Sequence, residues 1–275
     1  MTLLDELLDI GCSLVPPSIR PQLTIKGFWD MDIHFQPLPQ ERLFTCHCLI
    51  AQTHHQGCSF YQEHSLQKKE LPSLIGQSYQ AAKKASLPIK IAVLDSLFRF
   101  GRKSTQPSRK LRQEGTPTEK ALFRAKIVCE EVQLLAPVKN HLKPSCISIL
   151  GVSGLIVHLL MQLKYSILAC DLDPTLVGAK VCGNVSVLDG AYQEYCIQNS
   201  EVVIVTGMAL ATGTMENTFN FASNYGTKVV VYAQTGANLA PWYLLYGADV
   251  VICEPMPFYN FEGLSEIYVY RGKKQ

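Results

Sequence analysis

After Lys143 the chain keeps to one pattern: apolar runs of strand length, rich in Val and Ile, separated by stretches of helical character. The runs are "CISIL", "YSILAC", "VSVLD", "EVVIVTG", "KVVVYAQ", "DVVICEP" and "EIYVYRG". A strand covered on one face alternates apolar and polar residues, whereas a run that is apolar throughout is covered on both. Such runs alternating with helices describe a parallel sheet between two helical layers. The expected class is therefore α/β. A Rossmann-like, mostly parallel sheet domain occupies residues 141–275, and a smaller α+β part occupies 1–140. At 275 residues the chain has length for both and for a sizeable core.

The first part is less regular. Residues 2 to 10 pattern as a short amphipathic helix, with Leu3, Leu4, Leu7 and Leu8 on one stripe. "LFTCHCLIAQ" has strand character, and "HHQG" before "CSFY" turns it into a hairpin. Residues 71–100 pattern as helical, with Pro88 in the first turn of a second helix. The stretch 99–115, "RFGRKSTQPSRKLRQEG", carries six basic residues and reads as an exposed loop or lid. In a functional version Arg99 or Arg102 would reach an anionic ligand. A linking helix over 117–136 follows. Thr116 is its N-cap, Pro117 its first residue, and Glu119 completes a capping box.

The strand "CISIL" runs into "GVSG", a turn of Gly151, Val152, Ser153 and Gly154. The full GxGxxG dinucleotide fingerprint is absent. A turn with few Cβ atoms still lets backbone amides and a helix N-terminus face an anion. Asp171 ends the next strand twenty residues after Gly151, where a carboxylate can accept ribose hydroxyls. Leu172 and Asp173 continue it in the style "DLDP", frequent in S-adenosylmethionine-binding proteins, and would flank an adenine. Asp189 and Gly190 end a third strand where such proteins contact the adenine amino group. Further tips supply polar turns: Thr206, Gly207, Thr212, Gly213 and Thr214, then Gln234, Thr235, Gly236 and Asn238, then Cys253 and Glu254. In the competing reading the glycines make a tight corner, and the acids and threonines cap helices.

The segment from "NSEVVIVTGMALATGT" through "TGANLAP" to "GADVVICEP" resembles the second half of the heavy-metal-chelation family. The resemblance covers residues 145–257 and, more loosely, the helical "IKIAVLDSLF". It implies an enolase-N-like first part and a Rossmann-like second part.

"CHCLIAQTHHQGCSFYQEH" gathers Cys46, His47, Cys48, His54, His55, Cys58 and His64. Cys-x-Cys is not the Cys-x2-Cys knuckle of structural zinc, and no second half follows. In a strand Cys46 and Cys48 share a face and His47 takes the other. A core-facing thiol pair and a soft-metal site with a hairpin histidine both fit this spacing.

A net charge of +2 excludes bulk electrostatic attraction to nucleic acid. No apolar run reaches the roughly 18 residues of a spanning helix, so no membrane association is expected. The start "MTLLDELLDIGC" lacks a basic n-region. With ten scattered cysteines, this leads us to expect a cytoplasmic location. The expected function is an enzyme of small-molecule metabolism with an adenosyl ligand, S-adenosylmethionine, as transferase or lyase. The alternative is a heavy-metal or metallophore-binding protein without turnover, a metal ion then being the ligand. A third reading is a scaffold that has lost its ligand. The expected partners are a small molecule and a second copy of the chain. No catalytic residue follows from spacing alone.

Overall fold

The structure, a computed structural model, describes residues 3–36, 44–103, 105–137 and 144–272. The chain order begins with α1 (Leu3–Leu14), β1 (Gly27–Phe35), β2 (Phe44–Gln52), β3 (Gln56–Tyr61), α2 (Leu71–Leu74) and α3 (Leu87–Phe98). It continues with β4 (Arg109–Gln113), α4 (Pro117–Leu135), β5 (Cys146–Leu150), α5 (Gly154–Gln162), β6 (Ser166–Asp171), β7 (Lys180–Val181) and β8 (Val185–Asp189). The remainder is α6 (Gln193–Gln198), β9 (Val202–Thr206), α7 (Met208–Ala211), α8 (Met215–Tyr225), β10 (Lys228–Ala233), β11 (Val250–Cys253) and β12 (Ser265–Arg271).

Two sheets result. A small antiparallel sheet has the order β1-β2-β3, and a nine-stranded sheet runs β4-β12-β11-β10-β9-β5-β6-β8-β7. Within the large sheet β8, β6, β5, β9, β10 and β11 are parallel neighbours. Renumbered from β5, that order is 3-2-1-4-5-6, the dinucleotide-fold order, and its direction reverses between β5 and β9. This is the mostly parallel α/β sheet that the apolar runs imply, preceded by a smaller antiparallel sheet in the N-terminal part.

Strand periodicity explains the layers. Val203, Val205, Val229 and Val231 point to one face, under α1, α3, α8 and the 240–246 turn. Val202, Ile204 and Val230 point to the other face, under α4 and α5. Helix α3 is apolar nearly all round, with ten of its twelve residues buried. It earns that burial by packing two ways. Ile89, Val93 and Leu97 meet the small sheet, while Ile91, Leu94 and Phe98 join the core under the large one.

The two sheets are stitched together around α3. Gly57 in β3 presses on the α3 backbone, and a Cβ there would overlap Ala92 O and Ser96 N. The free edge of β3 is taken by the loop after β10: the Gly236 amide donates to Cys58 O at 2.9 Å and the Phe60 amide to Thr235 Oγ1 at 3.0 Å. Asp95, fully buried on α3, closes the joint. It accepts the amides of Cys58 at 2.9 Å and Asn238 at 2.7 Å, and the Asn238 side chain at 3.1 Å. Burial pushes its carboxyl up to about 6, although these donors pull the other way.

Two expectations are corrected. The helical reading of 71–85 fails. Helix α2 spans four residues, Gly76 at φ +83° breaks the chain, and a 3-10 run covers Tyr79–Lys84. The basic stretch is not a loop throughout: a 3-10 turn at Arg99–Lys103 leads to β4, which pairs antiparallel with β12 at the sheet edge. The charges of β4 are paired. Arg109 meets Glu130 and Glu131 at 3.0 Å, and Lys110 and Arg112 meet Glu266 at 3.1 and 3.0 Å. The expected boundary near residue 140 lies outside the described residues. The capping box on α4 is present as read, with both Thr116–Glu119 bonds formed. Among the described residues no helix is long and apolar enough to cross a membrane.

Candidate functional site

The turn after β5 is held from two sides. Gly151 sits at φ +86°, and a Cβ there would stand 2.7 Å from Thr206 Oγ1 at the tip of β9. Asp171 reaches back across the sheet: its Oδ2 accepts the Val152 amide at 2.8 Å, and its Oδ1 accepts the Asp173 amide at 2.9 Å. Ser153 caps α5 but makes no side-chain cap bond, and Gly154 is the first helical residue.

The expected adenosyl residues form a rim around the tips of β6 and β8. Asp173 accepts Thr175 N and Oγ1 at 2.9 and 2.6 Å, and Asp189 accepts the Ala191 amide at 2.8 Å. Gly190 packs against Leu172. Leu172 and Tyr192 remain 46% and 55% exposed beside these carboxylates. At the other tips Gly207 backs onto Thr235 O, and Thr212 Oγ1 meets Thr214 Oγ1 at 3.0 Å. Thr235, Gly236 and Asn238 belong to the joint with β3 and α3.

A cleft of about 140 Å³ opens beside the same turn. Val152 and Ser153 form one end, and Tyr232 and Gln234 of the β10 tip form another. The small sheet roofs it with Ile33, Phe35, Cys46 and Phe60. Arg124 of α4 and Tyr259 close the side. The guanidinium lies 3.8 Å from the Tyr259 ring centroid and 5.1 Å from that of Tyr232. Its nearest carboxylate, Glu254 at the tip of β11, stands 4.0 Å away. Glu254 is buried and accepts the Tyr232 hydroxyl at 3.0 Å and the Gln234 amide at 2.8 Å. Burial raises the Glu254 carboxyl above its ordinary range, with Arg124, Tyr232 and Gln234 opposing. One turn earlier on α4, the buried Lys120 donates to the carbonyls of Phe261 and Gly263, fixing the loop that carries Tyr259.

Two crystal structures similar to this chain are of proteins of unknown function. A DUF364-family protein of unknown function from Pyrococcus horikoshii superposes with a TM-score of 0.58 at 12% identity, covering 98% of this chain and 100% of its own. A second DUF364-family protein, from Desulfitobacterium hafniense DCB-2, gives 0.57 at 10% identity, covering 96% and 98%. At such identities the likeness carries the fold alone. No protein-family model and no curated protein matches the chain.

The cysteine-histidine stretch is dispersed. Cys46 lines the cleft. Cys48 pairs with Cys58 instead, Sγ to Sγ 3.3 Å, in a buried cluster under Phe258. His47 points to the opposite face, where its Nδ1 meets Asp32 at 2.7 Å. His54 and His55 pack on Phe100, and burial, then Arg99 and His54, lower the His55 pKa. His64 lies in a separate 3-10 turn. Among the described residues no three of His, Cys, Asp or Glu gather as metal ligands. The side chain of Arg102 lies outside them.

Sequence reasoning missed Arg124, Lys120 and Tyr259. A signal existed for the first two. They share the apolar stripe of Ala121, Ala125 and Val128 on α4, so they are buried charges rather than solvated ones.

Proposed function

We propose that this protein binds a small molecule in the cleft between the β5 turn and the small sheet, and that it acts as an enzyme of small-molecule metabolism there. One observation carries the reading. The strand order reverses between β5 and β9, and the cleft begins at that turn, under a roof supplied by a second sheet. Ligands of open α/β sheets lie outside the carboxyl ends of strands at such a reversal. The lining is mostly apolar with a few convergent polar groups, as ligand clefts are.

An adenosyl ligand, S-adenosylmethionine, is a second reading, favoured by Leu172 and Tyr192. Both are large apolar side chains in solvent beside Asp171 and Asp189, on the side of the glycine turn where an adenosine would lie. Its alkyl-donor end would then approach the cleft past Val152 and Ser153. The protein would contribute position, holding a nucleophile in line with the sulfonium carbon.

Thermal shift tests both readings, because a ligand that binds only the native state raises its apparent stability. The panel is S-adenosylmethionine, S-adenosylhomocysteine, NAD, NADP, zinc, nickel and copper. A shift with either adenosyl compound that Asp171→Ala abolishes supports the second reading. A shift with NAD alone, or with a metal alone, overturns it.

A further inference from the structure

Arg124 is the least expected residue in the cleft. It is 8% exposed and flanked by two tyrosine rings. Glu254 does not close a fork with it: the nearer carboxylate oxygen stands 4.0 Å off and is already shared by Tyr232 and Gln234. Arg124 Nε finds no hydrogen-bond partner among the described residues, and neither does Glu254 Oε1. A planar guanidinium suits the two oxygens of a carboxylate or phosphate, and a buried donor left unmatched is costly.

A second group faces the same space. Helix α5, nine residues long, begins there, and Ser153 leaves its first-turn amides without a side-chain cap. Such amides and the helix dipole favour negative charge. The Val152 amide is not among them, since Asp171 holds it. The same cleft is lined by the apolar side chains of Ile33, Phe35 and Phe60. An apolar cavity of about 150 Å³ takes a benzene ring, so a cleft of about 140 Å³ accommodates one ring-sized body.

We propose that the cleft selects an organic anion, a carboxylate or phosphate ester of a ring-sized apolar body. Arg124 and the first turn of α5 receive the anion, and Phe35 and Phe60 receive the body. This rests on the reading of the cleft as a ligand site. It adds the substrate class.

The test is calorimetric titration of the full chain with benzoate, phenyl phosphate and benzamide. Benzamide matches benzoate in shape and lacks the charge. We expect one of the two anions to bind at least tenfold tighter than benzamide, and the tighter of them separates carboxylate from phosphate ester. Arg124→Gln should erase the preference. If that variant does not fold, Arg124→Gln/Glu254→Gln removes both charges together and serves the same purpose. Alkylation of Cys46 by iodoacetamide, followed by peptide mass spectrometry, locates the site: the bound anion should slow it at Cys46 and leave exposed Cys182 unchanged. Binding of benzamide as tight as that of both anions, with Cys46 protected, keeps the cleft as a ligand site and overturns anion selection. If none of the three binds and none slows Cys46 alkylation, both fall.

Discussion

Asp171 and Val152 are joined across two strands: the carboxylate at the tip of β6 accepts the amide inside the β5 turn at 2.8 Å. The same carboxylate also takes the Asp173 amide. Whatever it does for a ligand, it shapes the turn first. Asp171→Ala should therefore lower stability by about 1.5–3 kcal/mol, the usual worth of hydrogen bonds to a charged group. Urea denaturation measures this. A loss below about 0.5 kcal/mol would mean that the turn holds itself.

Gly151 should tolerate no side chain. Its φ of +86° strains any L-residue, and its Cβ would meet Thr206 Oγ1 at 2.7 Å. Gly151→Ala should cost about 1–3 kcal/mol for the backbone alone. Adding Thr206→Ala should recover the overlap and leave the strain. In a double-mutant cycle the two changes should therefore cost less together than their sum. Simple additivity would show that Thr206 does not set the corner.

The Asp95 joint predicts a pH dependence. Its carboxyl is raised from 3.8 to about 6. Between those values the native state keeps a proton that the unfolded chain has released. Stability from this group therefore falls as pH rises through that window. Relative to Asp95→Asn, which does not titrate, the wild-type protein should lose about 1–3 kcal/mol of its stability difference from pH 4 to pH 6. Urea midpoints of both proteins across that range provide the check. A constant difference would contradict it.

Lys120 governs the cleft wall at a distance. Its amine holds two carbonyls of the loop bearing Tyr259. Lys120→Met keeps the length and removes the donors, so hydrogen exchange in residues 256–264 should accelerate at least tenfold. Stability should drop by about 1.5–3 kcal/mol. Unchanged exchange in that segment would show the loop to be held by Phe258 packing instead.

The large sheet could be read from the chain because each of its parallel strands is a short run of Val and Ile closed by a turn. That signal is local. So is the α4 cap, spelled out by Thr116, Pro117 and Glu119. β4 was hidden for the opposite reason. "RKLRQ" looks like solvated charge, and only Glu130, Glu131 and Glu266, brought from distant elements, neutralise it. The Met31, Ile33 and Phe35 alternation in β1 carries a period of two, and it was available as a strand signal. At the site, Val152, Ser153 and Gln234 follow from strand-tip logic. Arg124 and Tyr259 do not, because their placement depends on how α4 and the 256–264 loop pack on the sheet.

The position of β4 has one more consequence. It precedes α4 in the chain, yet it completes the sheet edge beyond β12. Arg109 from β4 and Arg271 from β12 both clasp the buried Glu131 of α4. A backbone cut between Pro137 and Pro144 would therefore not release two separate bodies. The nicked protein should elute as one particle, and residues 144–272 produced alone should leave the edge of β12 open, a template for pairing with other chains.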